Sequence, residues 1–449
     1  MKNETNAKKK LGLFMATALV AGNMIGSGIL MLPASLAAVS GPGATIIAWL
    51  LTGIGSTLLA LSFAKLGSKI PKTGGPYEYT RLAFGDFTGF LSAWLYWTGA
   101  WIGNAAIITV VASYSATLIP IINQNGTIAF LYTSGILWFF TIVNILGTRK
   151  AGVLQTFITV FKFVLFGAFA IIAALNFNVD YITPVFPQGR GLSTVPAAAI
   201  LTLWAFVGFE SSTVNGEEIE NPERNIKLST IFGMIIVLVA YMLISFVSMG
   251  AMSQTKLAAS TSPIIDIIAQ YIGTKVTKFL LIGAVISVLG TVLGWILTTA
   301  RMSYAAARGG VFPKVFGKLH PKYNTPYASL IINAVLTNIL LFMNYTSSLS
   351  AAFNFMMLLA TLSYLPVYAF GAAADIILLS KKHKNLSVGK FIKNSIVPLL
   401  AFIYAVWAIY GAGAETVLYG FLLILFGVPF YVYMRVKNNS EENLDIEEI

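Results

Sequence analysis

The amino-acid sequence predicts an all-α integral membrane protein with twelve transmembrane helices. Its 449 residues are 57% hydrophobic and only 10% charged, and their mean hydropathy is +0.79, far above what is usual for soluble domains. Apolar runs of about 20 residues, the length that a helix needs to cross the hydrocarbon core, recur along the chain. These runs do not alternate between apolar and polar residues, as membrane-spanning strands would.

Twelve such runs follow one another, and the first and the sixth are interrupted by glycine and polar residues. Paired interruptions five helices apart are typical of folds built from two inverted repeats. We therefore predict a first repeat of five helices over residues 1–175, a second over 176–380, and two further helices with an acidic tail over 381–449. The predicted helices begin near Leu13, Ala44, Phe87, Ile128, Val153, Val195, Leu228, Lys278, Ser329, Ala351, Ile396 and Thr416.

The distribution of Lys and Arg predicts the orientation. If the amino terminus is cytoplasmic, 24 of the 29 Lys and Arg residues fall on the cytoplasmic side and four on the opposite side. The positive-inside rule therefore places both termini in the cytoplasm of a multi-pass plasma-membrane protein. The net charge of +12 follows from this topology, so we expect the lipid bilayer and no nucleic acid as a partner. The first apolar run has no cleavage site and is expected to remain as a helix.

The residue types needed for metal binding or catalysis are scarce. The sequence has no cysteine, and its two histidines, His320 and His383, lie in predicted polar loops. Disulfides, thiolate metal sites and cysteine nucleophiles are thereby excluded. The predicted membrane core holds one acid and one base, too few for paired acids, a metal site or a nucleophile with its base. We therefore expect no cofactor, no metal and no enzymatic activity.

The first predicted helix contains the stretch GNMIGSG, in which Asn23, Gly26, Ser27 and Gly28 weaken the helix at its middle. Irregular backbone is tolerated at that depth only inside the protein or against a cavity. The N–H groups that begin the next half-helix, from Ser27 to Ile29, favour a carboxylate because the helix dipole is positive there. Glycines at this spacing also occur where helices merely pack closely. The interruption in the sixth helix favours a binding site instead.

In the sixth predicted helix, Gly208 and then Glu210 with three hydroxyl residues follow an apolar run. The carbonyl oxygens from Ala205 to Gly208 would offer acceptors to a substrate ammonium. Glu210 is the only acid predicted in the membrane core, where carboxylates usually face a cavity and carry protons or bind a cation. It can also be read as a residue at a helix end. We predict that Glu210 senses protons at the inner gate.

Lys162 is the only base within a predicted span. A lysine can snorkel to the membrane surface, but apolar residues flank Lys162 by about eight positions on either side, which makes this hard. We therefore predict that its ammonium lies between the first, fifth and eighth helices and takes the place of a bound sodium ion. Transport would then be independent of sodium or coupled to protons.

Three aromatic residues and one amide are further candidates within the spans. Trp204 and Trp295 lie well inside the sixth and eighth helices, where an aromatic face can close over a substrate or hold a cation. Asn104 lies in the third helix, and Tyr96 lies two helical turns before it. For a single intramembrane tryptophan, packing or an interfacial position is the common alternative.

Seven stretches, taken in order along nearly the whole chain, resemble a known family. They are GNMIGSG, GGPYEYTRLAFG, WIGN, LWAFVGFES, ENPERNI, LGW and GVFPKVF. Together they resemble the amino acid–polyamine–organocation superfamily, and within it the bacterial basic amino acid and polyamine antiporters. The resemblance implies two inverted five-helix repeats with two further helices, transport by alternating access, and often a homodimer.

Two positions of the tenth predicted helix depart from the arginine–agmatine antiporters that the chain resembles. Leu359 matches the serine that holds the guanidinium in those proteins, and Val367 matches their tyrosine gate partner. Lys162 is similar instead to a lysine of sodium-independent amino acid transporters in the same superfamily. The departures at Leu359 and Val367 argue against arginine as the substrate, and Lys162 favours a substrate with a carboxylate over a pure diamine.

The residues and the resemblance together predict one site. Its substrate-binding residues are Asn23, Ile25, Gly26, Ser27, Gly28, Asn104, Trp204, Ala205, Gly208, Trp295 and Leu359, and its gate residues are Tyr96, Trp204, Glu210 and Trp295. The main hypothesis is a sodium-independent antiporter that exchanges a cationic amino acid for a related amino acid or its decarboxylated amine. The alternative is proton-coupled uptake or exchange of neutral amino acids, in which Leu359 and Ile107 make the side-chain pocket apolar.

Overall fold

The computed structural model describes residues 10–344, 349–382 and 387–447, so the predicted loop residue His383 lies outside the described residues. Within those ranges the chain is helical, and extended pairing is limited to two isolated bridges, Leu11 with Ile219 and Thr73 with Asn215. The helices of the first part of the chain are α1 Leu13–Met24, α2 Ser27–Val39, α3 Pro42–Lys69, α4 Pro76–Phe84, α5 Asp86–Ala116, α6 Ile121–Gln124, α7 Gly126–Ile145 and α8 Thr148–Leu175.

Residues 176–447 continue the bundle. Short 3₁₀ helices at Val179–Ile182, Leu192–Thr194, Gly216–Glu218 and Lys314–Gly317 lie in its connections. The α-helices are α9 Val195–Trp204, α10 Ser211–Val214, α11 Pro222–Ala251, α12 Gln254–Ala259, α13 Pro263–Ile272, α14 Thr274–Arg308, α15 Tyr327–Asn344, α16 Leu349–Lys382, α17 Val388–Gly411 and α18 Ala414–Glu447.

Ten helical stretches of the described residues are long and apolar enough to cross a membrane, counting α1 and α2 as one. Two of the twelve predicted helices fall below that length: the sixth, which forms the helical stretch Leu192–Trp204, and the ninth, Tyr327–Met343. The sixth is short because its helix ends at Trp204, where the predicted interruption begins.

Local sequence signals explain where many helices begin. Five of them, α3, α4, α9, α11 and α13, have proline in the first turn, where its missing N–H costs nothing and its fixed φ suits a helix. The side chain of Asn125 caps α7 by accepting hydrogen bonds from the N–H groups of Thr127 and Ile128. The stretch GGPYEYTRLAFG contains α4.

Polar and apolar residues are distributed as expected for a bundle in lipid. The outer surface exposes large apolar side chains such as Phe157, Val164 and Phe426, each about 70% exposed. Many hydroxyl and amide side chains, together with Lys162 and Glu210, are buried inside. Because lipid offers no hydrogen bonds, these groups must find partners within the protein. Helix α5 is almost entirely buried, whereas α17 and α18 are mostly exposed.

Candidate functional site

The interruption predicted in the first helix is present between α1 and α2. We call residues 25–26 the first break. Ile25 (φ −81°, ψ 88°) and Gly26 (φ −130°, ψ −127°) leave the helical conformation, and a new helix begins at Ser27. A Cβ atom at Gly26 would lie 2.6 Å from Cγ2 of Thr291. Glycine is therefore required here because α14 passes too close for any side chain.

Side chains from three other helices bond to the carbonyl oxygens at the first break. In a continuous helix these oxygens would accept hydrogen bonds from N–H groups four residues later. Their use by distant side chains fixes the break in place. Lys162 Nζ donates to the oxygens of Gly22 (2.9 Å) and Ile25 (2.6 Å), Trp295 Nε1 to Asn23 (3.0 Å), and the Tyr241 hydroxyl to Met24 (2.9 Å).

Lys162 lies between α1, α8 and α14, as the sequence predicts, and is fully buried. Besides its two backbone acceptors, its ammonium donates to Thr291 Oγ1 at 2.6 Å. The Thr291 hydroxyl lies 3.0 Å from the carbonyl oxygen of Gly22 and 3.1 Å from that of Ile25. Carbonyl and hydroxyl oxygens beside an unwound helix also coordinate sodium in membrane transporters. The ammonium thus occupies an environment that suits a small cation.

Asn23 connects the first break to three other helices. Its Nδ2 donates to Ser211 Oγ at 2.8 Å and to Thr298 Oγ1 at 3.3 Å. Its Oδ1 accepts a hydrogen bond from Gln155 Nε2 at 2.8 Å. A Cβ atom at Gly294 would overlap both amides, so that glycine makes room for them. The Asn23 side chain is therefore part of a buried network and is not free for a ligand in this conformation.

The interruption predicted in the sixth helix is also present. We call residues 205–210 the second break, because α9 ends at Trp204 and α10 begins at Ser211. Gly208 adopts φ +116°, a conformation that residues with a side chain rarely take. A Cβ atom there would also lie 3.3 Å from the backbone of Asn23. Gly208 thus lets the chain turn and lets the two breaks touch.

The second break is held by hydrogen bonds within its own turn. One of these bonds uses the carbonyl oxygen of Gly208, which was predicted to accept a hydrogen bond from a substrate ammonium. The bonds run from Ala205 N to Thr202 O (3.1 Å), Val207 N to Trp204 O (3.3 Å), Phe209 N to Phe206 O (3.3 Å) and Ser211 N to Gly208 O (3.0 Å).

A small cavity lies where the two breaks meet. Its volume, about 10 Å³, is room for about one water molecule. Both tryptophans that border it are largely buried, and Trp204 Nε1 lies 3.4 Å from Ser27 Oγ. The protein is therefore closed around the cavity in this conformation. The lining residues are Asn23, Met24, Gly26, Ser27, Gly28, Ile107, Trp204, Val207, Thr291 and Trp295.

Six of the predicted substrate-binding residues line this cavity, and the other five do not. Ile25 presents its carbonyl to Lys162 instead, and Ala205 and Gly208 belong to the turn of the second break. Asn104 donates to Thr299 Oγ1 at 3.2 Å, and within the described residues its Oδ1 is buried without a hydrogen-bond partner.

Leu359 is not at the cavity, contrary to the prediction for the tenth helix. It is partly exposed, whereas its neighbour Ala360 is fully buried. A Cβ atom at Gly103 would lie 3.4 Å from the Trp204 ring and 3.7 Å from Cβ of Ala360. Ala360 and Trp204 thus lie on either side of Gly103, and Ala360 is the residue of α16 that faces this region. A shift of one residue turns a helix by about 100°, which moves Leu359 off this face.

The same shift affects the predicted gate. Glu210 is fully buried, and its Oε2 accepts hydrogen bonds from the Tyr368 hydroxyl at 3.2 Å and from Gly208 N at 3.3 Å. Tyr368 therefore stands where the sequence comparison placed Val367. One carboxylate oxygen thus faces a tyrosine hydroxyl and the turn of the second break, while the other, Oε1, is buried without a hydrogen-bond partner within the described residues.

Aromatic rings connect this carboxylate to the cavity. The ring of Tyr96 lies 6.5 Å from that of Trp295 and 5.0 Å from that of Tyr364, centre to centre. Tyr364 in turn stacks on Tyr368 at 6.1 Å. We call Tyr96, Glu210, Tyr364 and Tyr368 the tyrosine layer. It covers the side of the cavity that adjoins Trp295.

Sequence reasoning missed several of these contacts, although a signal existed for some. Thr291, Trp295 and Thr298 follow a spacing of four and three residues, which puts them on one face of α14. Gln155 and Lys162 are seven residues apart and share a face of α8 in the same manner. A stripe of polar residues in an otherwise apolar helix would have identified Thr291 and Gln155. Tyr241, Ser245 and Ser248 of α11 have the same spacing of four and three residues and are buried, so the same signal pointed to Tyr241.

Comparisons with known proteins agree with this architecture. Residues 11–439 match the family model described as "Amino acid permease". A putative arginine/ornithine antiporter of Bacillus subtilis is 33% identical over 97% of this chain and 98% of its own length. An arginine/agmatine antiporter of Chlamydia abortus is 31% identical over 98% and 93%. The putrescine transporter PotE of Haemophilus influenzae is 31% identical over 95% and 98%. The chain belongs to the amino acid permease family of the amino acid–polyamine–organocation superfamily.

Proposed function

We propose that this protein is a sodium-independent antiporter that exchanges a cationic amino acid for a related amino acid or its decarboxylated amine. The observation that carries the proposal is the meeting of two broken helices at a small cavity closed by Trp204 and Trp295. Relatives similar along the whole chain are named as arginine/ornithine, arginine/agmatine and putrescine carriers. These names favour cationic substrates over the neutral amino acids of the alternative hypothesis.

The amino-acid backbone of the substrate would bind at the start of α2. The first N–H groups of a helix have no intrahelical partners and lie at the positive end of its dipole. Those of Ser27 to Ile29 would therefore hold the carboxylate. The carbonyl groups of the second break, with Ala205 the first of them, would meet the ammonium. The face of Trp295 would lie against a cationic side chain.

The cavity must enlarge before such a substrate can enter. Its volume of about 10 Å³ is far below the 300 Å³ or more of typical small-molecule sites. Rotation of Trp204 would open one side. Rearrangement of Trp295 and of the tyrosine layer would open the other. Alternation between these two movements would give exchange without an open pore.

Lys162 would take the role that a sodium ion has in related transporter folds. Its ammonium is held by two carbonyl oxygens and one hydroxyl between α1, α8 and α14. A fixed positive charge at this point would hold the first break without a bound ion. Sodium would then have neither a vacant position nor an energetic role in the transport cycle.

The remaining predictions about architecture are part of the proposal. The helical stretches would form twelve transmembrane helices in two inverted repeats of five, followed by α17 and α18. The excess of Lys and Arg on one side would place both termini in the cytoplasm of the plasma membrane. Two copies would assemble as a homodimer, as the family resemblance implies.

Counterflow in proteoliposomes tests the function. Vesicles without sodium, preloaded with arginine, lysine, ornithine, alanine, serine, agmatine, cadaverine or putrescine, would be assayed for entry of each labelled amino acid. We expect stimulation by one cationic pair. Stimulation by neutral amino acids alone would favour the alternative hypothesis, and no stimulation by any pair would contradict the antiporter proposal.

A matched tryptophan pair tests whether the cavity is the binding site. Trp295→Leu removes an aromatic face at the cavity, whereas Trp407→Leu removes one that stacks on Tyr404 in α17. We expect the first change to weaken exchange about tenfold, because a desolvated cation–π contact and its packing contribute about 1–2 kcal/mol. Equal effects of both changes would place substrate binding elsewhere.

Glu210→Gln tests the proposed proton sensor. The amide oxygen can still accept from Tyr368, but the group can no longer gain or lose a proton. We expect the pH dependence of exchange to flatten while exchange itself persists. Rates equal to those of the unchanged protein at every pH from acid to neutral would exclude Glu210 as the sensor.

A further inference from the structure

A second cavity, much larger than the first, lies between α4, the end of α14 and α18. Its volume is about 540 Å³, within the range of sites for small organic ligands. It shares no lining residue with the cavity between the two breaks. Its charged lining residues are Arg81, Asp86, Arg308, Lys314 and Arg435.

The charges in this cavity are unbalanced. The described lining contains four cationic side chains and one carboxylate, that of Asp86. Arg308 also lies 3.7 Å from Glu217, outside the lining, but both side chains are about half exposed, and such pairs contribute little. Lys314 also interacts with another group. Without Lys314, the three arginines stand against Asp86 and Glu217, and an excess of one positive charge remains. A concave surface with an excess of positive charge attracts anions.

The arginines keep hydrogen-bond donors available for such an anion. Asp86 accepts from Arg81 Nε at 2.8 Å through one oxygen and from Arg435 Nη1 at 3.4 Å through the other. The hydrogen bond to Asp86 also raises the pKa of Arg81, which therefore stays charged. Each guanidinium has five N–H donors, and their fork geometry fits the oxygens of a phosphoryl group. The carboxylate thus positions two guanidinium groups and uses few of their donors.

Exposed apolar side chains lie next in the chain to residues that line the cavity. Val432 and Val436 of α18 are 53% and 61% exposed, and Phe87 at the start of α5 is 44% exposed. The ring of Phe87 packs on that of Tyr431, a lining residue, at 5.2 Å. A headgroup in the cavity would therefore have its acyl chains beside a lipid-facing surface. The positive-inside rule assigns this face to the cytoplasm, whose leaflet carries anionic lipids.

We propose that this cavity binds a phosphoryl anion, carried either by the headgroup of an anionic phospholipid or by soluble phosphate. The site is separate from the proposed exchange function and does not depend on it. A bound anion would connect α18 to the end of α14, where Asn438 Nδ2 already donates to Gly310 O at 2.7 Å. Because α14 also carries Thr291 and Trp295, occupancy is expected to stabilise the folded protein.

Thermal unfolding with two sources of the anion tests the proposal. The full chain would be melted in phosphatidylcholine vesicles alone, with phosphatidylglycerol added, or with inorganic phosphate added, and co-purified lipid would be measured by mass spectrometry. We expect phosphatidylglycerol to raise the melting temperature and to remain bound. An equal rise of the melting temperature with inorganic phosphate would support the site and identify its ligand as a soluble anion. No protection by either would overturn the proposal.

Paired variants locate the effect. Arg308→Gln leaves both bonds of Asp86 intact and is expected to weaken binding about fivefold, since each basic residue near an anionic surface contributes about 1 kcal/mol. Arg308→Gln with Arg435→Gln should weaken it about 25-fold by the same reasoning. Lys390→Gln with Lys393→Gln removes two exposed charges from α17 and should leave binding unchanged. If the two double variants weakened binding equally, the anion would be attracted by the basic surface in general. That result would contradict the proposed site.

Discussion

The first break is held open by side chains from α8, α11 and α14, whereas the second break is held by hydrogen bonds within its own turn. Lys162, Tyr241 and Trp295 donate to the backbone at the first break. At the second, Ser211 N bonds back to the carbonyl of Gly208, and the turn needs the positive φ of that glycine. One break is thus supported from a distance and the other locally.

This difference bears on how the two breaks can move. A break supported by other helices changes its conformation when those helices shift. The conformation of the first break therefore depends on the positions of α8 and α14. A turn with its own hydrogen bonds can move as one piece. The contact of Gly208 with the backbone of Asn23 joins the two. We therefore expect the largest effects from changes to the distant supports of the first break.

Lys162→Met has the largest expected effect. It removes the donor shared by the carbonyl oxygens of Gly22 and Ile25. The Thr291 hydroxyl has one proton and can serve only one of them, and a buried acceptor left unpaired costs about 1–3 kcal/mol. We expect exchange to fall by about 100-fold, a change that corresponds to about 2.7 kcal/mol. The measurement is counterflow in proteoliposomes, once in sodium chloride and once in potassium chloride.

Lys278→Met is the matched control, because Lys278 is an exposed lysine of α14. It should exchange at the rate of the unchanged protein. If Lys162→Met did so as well, the first break would not depend on its distant supports, and the comparison of the two breaks would fail. Partial recovery of Lys162→Met in sodium would sharpen the comparison, since a sodium ion would then replace the ammonium.

The local break was also the easier one to find in the sequence. Gly208 followed by Glu210 interrupts an apolar run, and the structure places a turn there. The stretch GNMIGSG likewise predicted the position of the first break. What the sequence could not provide was the partner of each support. Thr291 and Tyr241 lie more than 200 residues from Gly22 and Met24 and reach their carbonyl oxygens only in the folded structure. Lys162 was found because an isolated charge in a span requires an explanation.

Helix register limited the prediction in a different manner. Leu359 and Val367 each lie one residue from the positions that face the site, which are held by Ala360 and Tyr368. Both errors have one cause, a comparison of the tenth helix displaced by one residue. In a helix a displacement of that size changes the face, because successive residues point about 100° apart. The hydropathy pattern does not reveal which residues of α16 face the site, because this helix is apolar on most sides.

Gly208→Ala tests the local break and has the next largest expected effect. A side chain at φ +116° with a Cβ atom 3.3 Å from Asn23 is strained by about 1–3 kcal/mol. We expect a lower melting temperature and exchange reduced about tenfold. Gly135→Ala in α7 meets no atom within 4 Å and should leave both quantities unchanged or raise stability slightly. If both variants behaved alike, the turn would not depend on its glycine.

Thr291→Val has the smallest expected effect, and it separates the two donors at the first break. Valine keeps the shape of the side chain and removes the hydroxyl that contacts the carbonyls of Gly22 and Ile25 alongside Lys162. The change also removes the hydroxyl that accepts from the ammonium. Since the ammonium still reaches both carbonyl oxygens, we expect a net loss of about 1 kcal/mol, or about fivefold in exchange. Thr109→Val is the control, because that hydroxyl bonds to Ala105 O within its own helix. A loss with Thr291→Val as large as that with Lys162→Met would mean that the hydroxyl positions the ammonium, and the first break would then depend on α14 more than on α8.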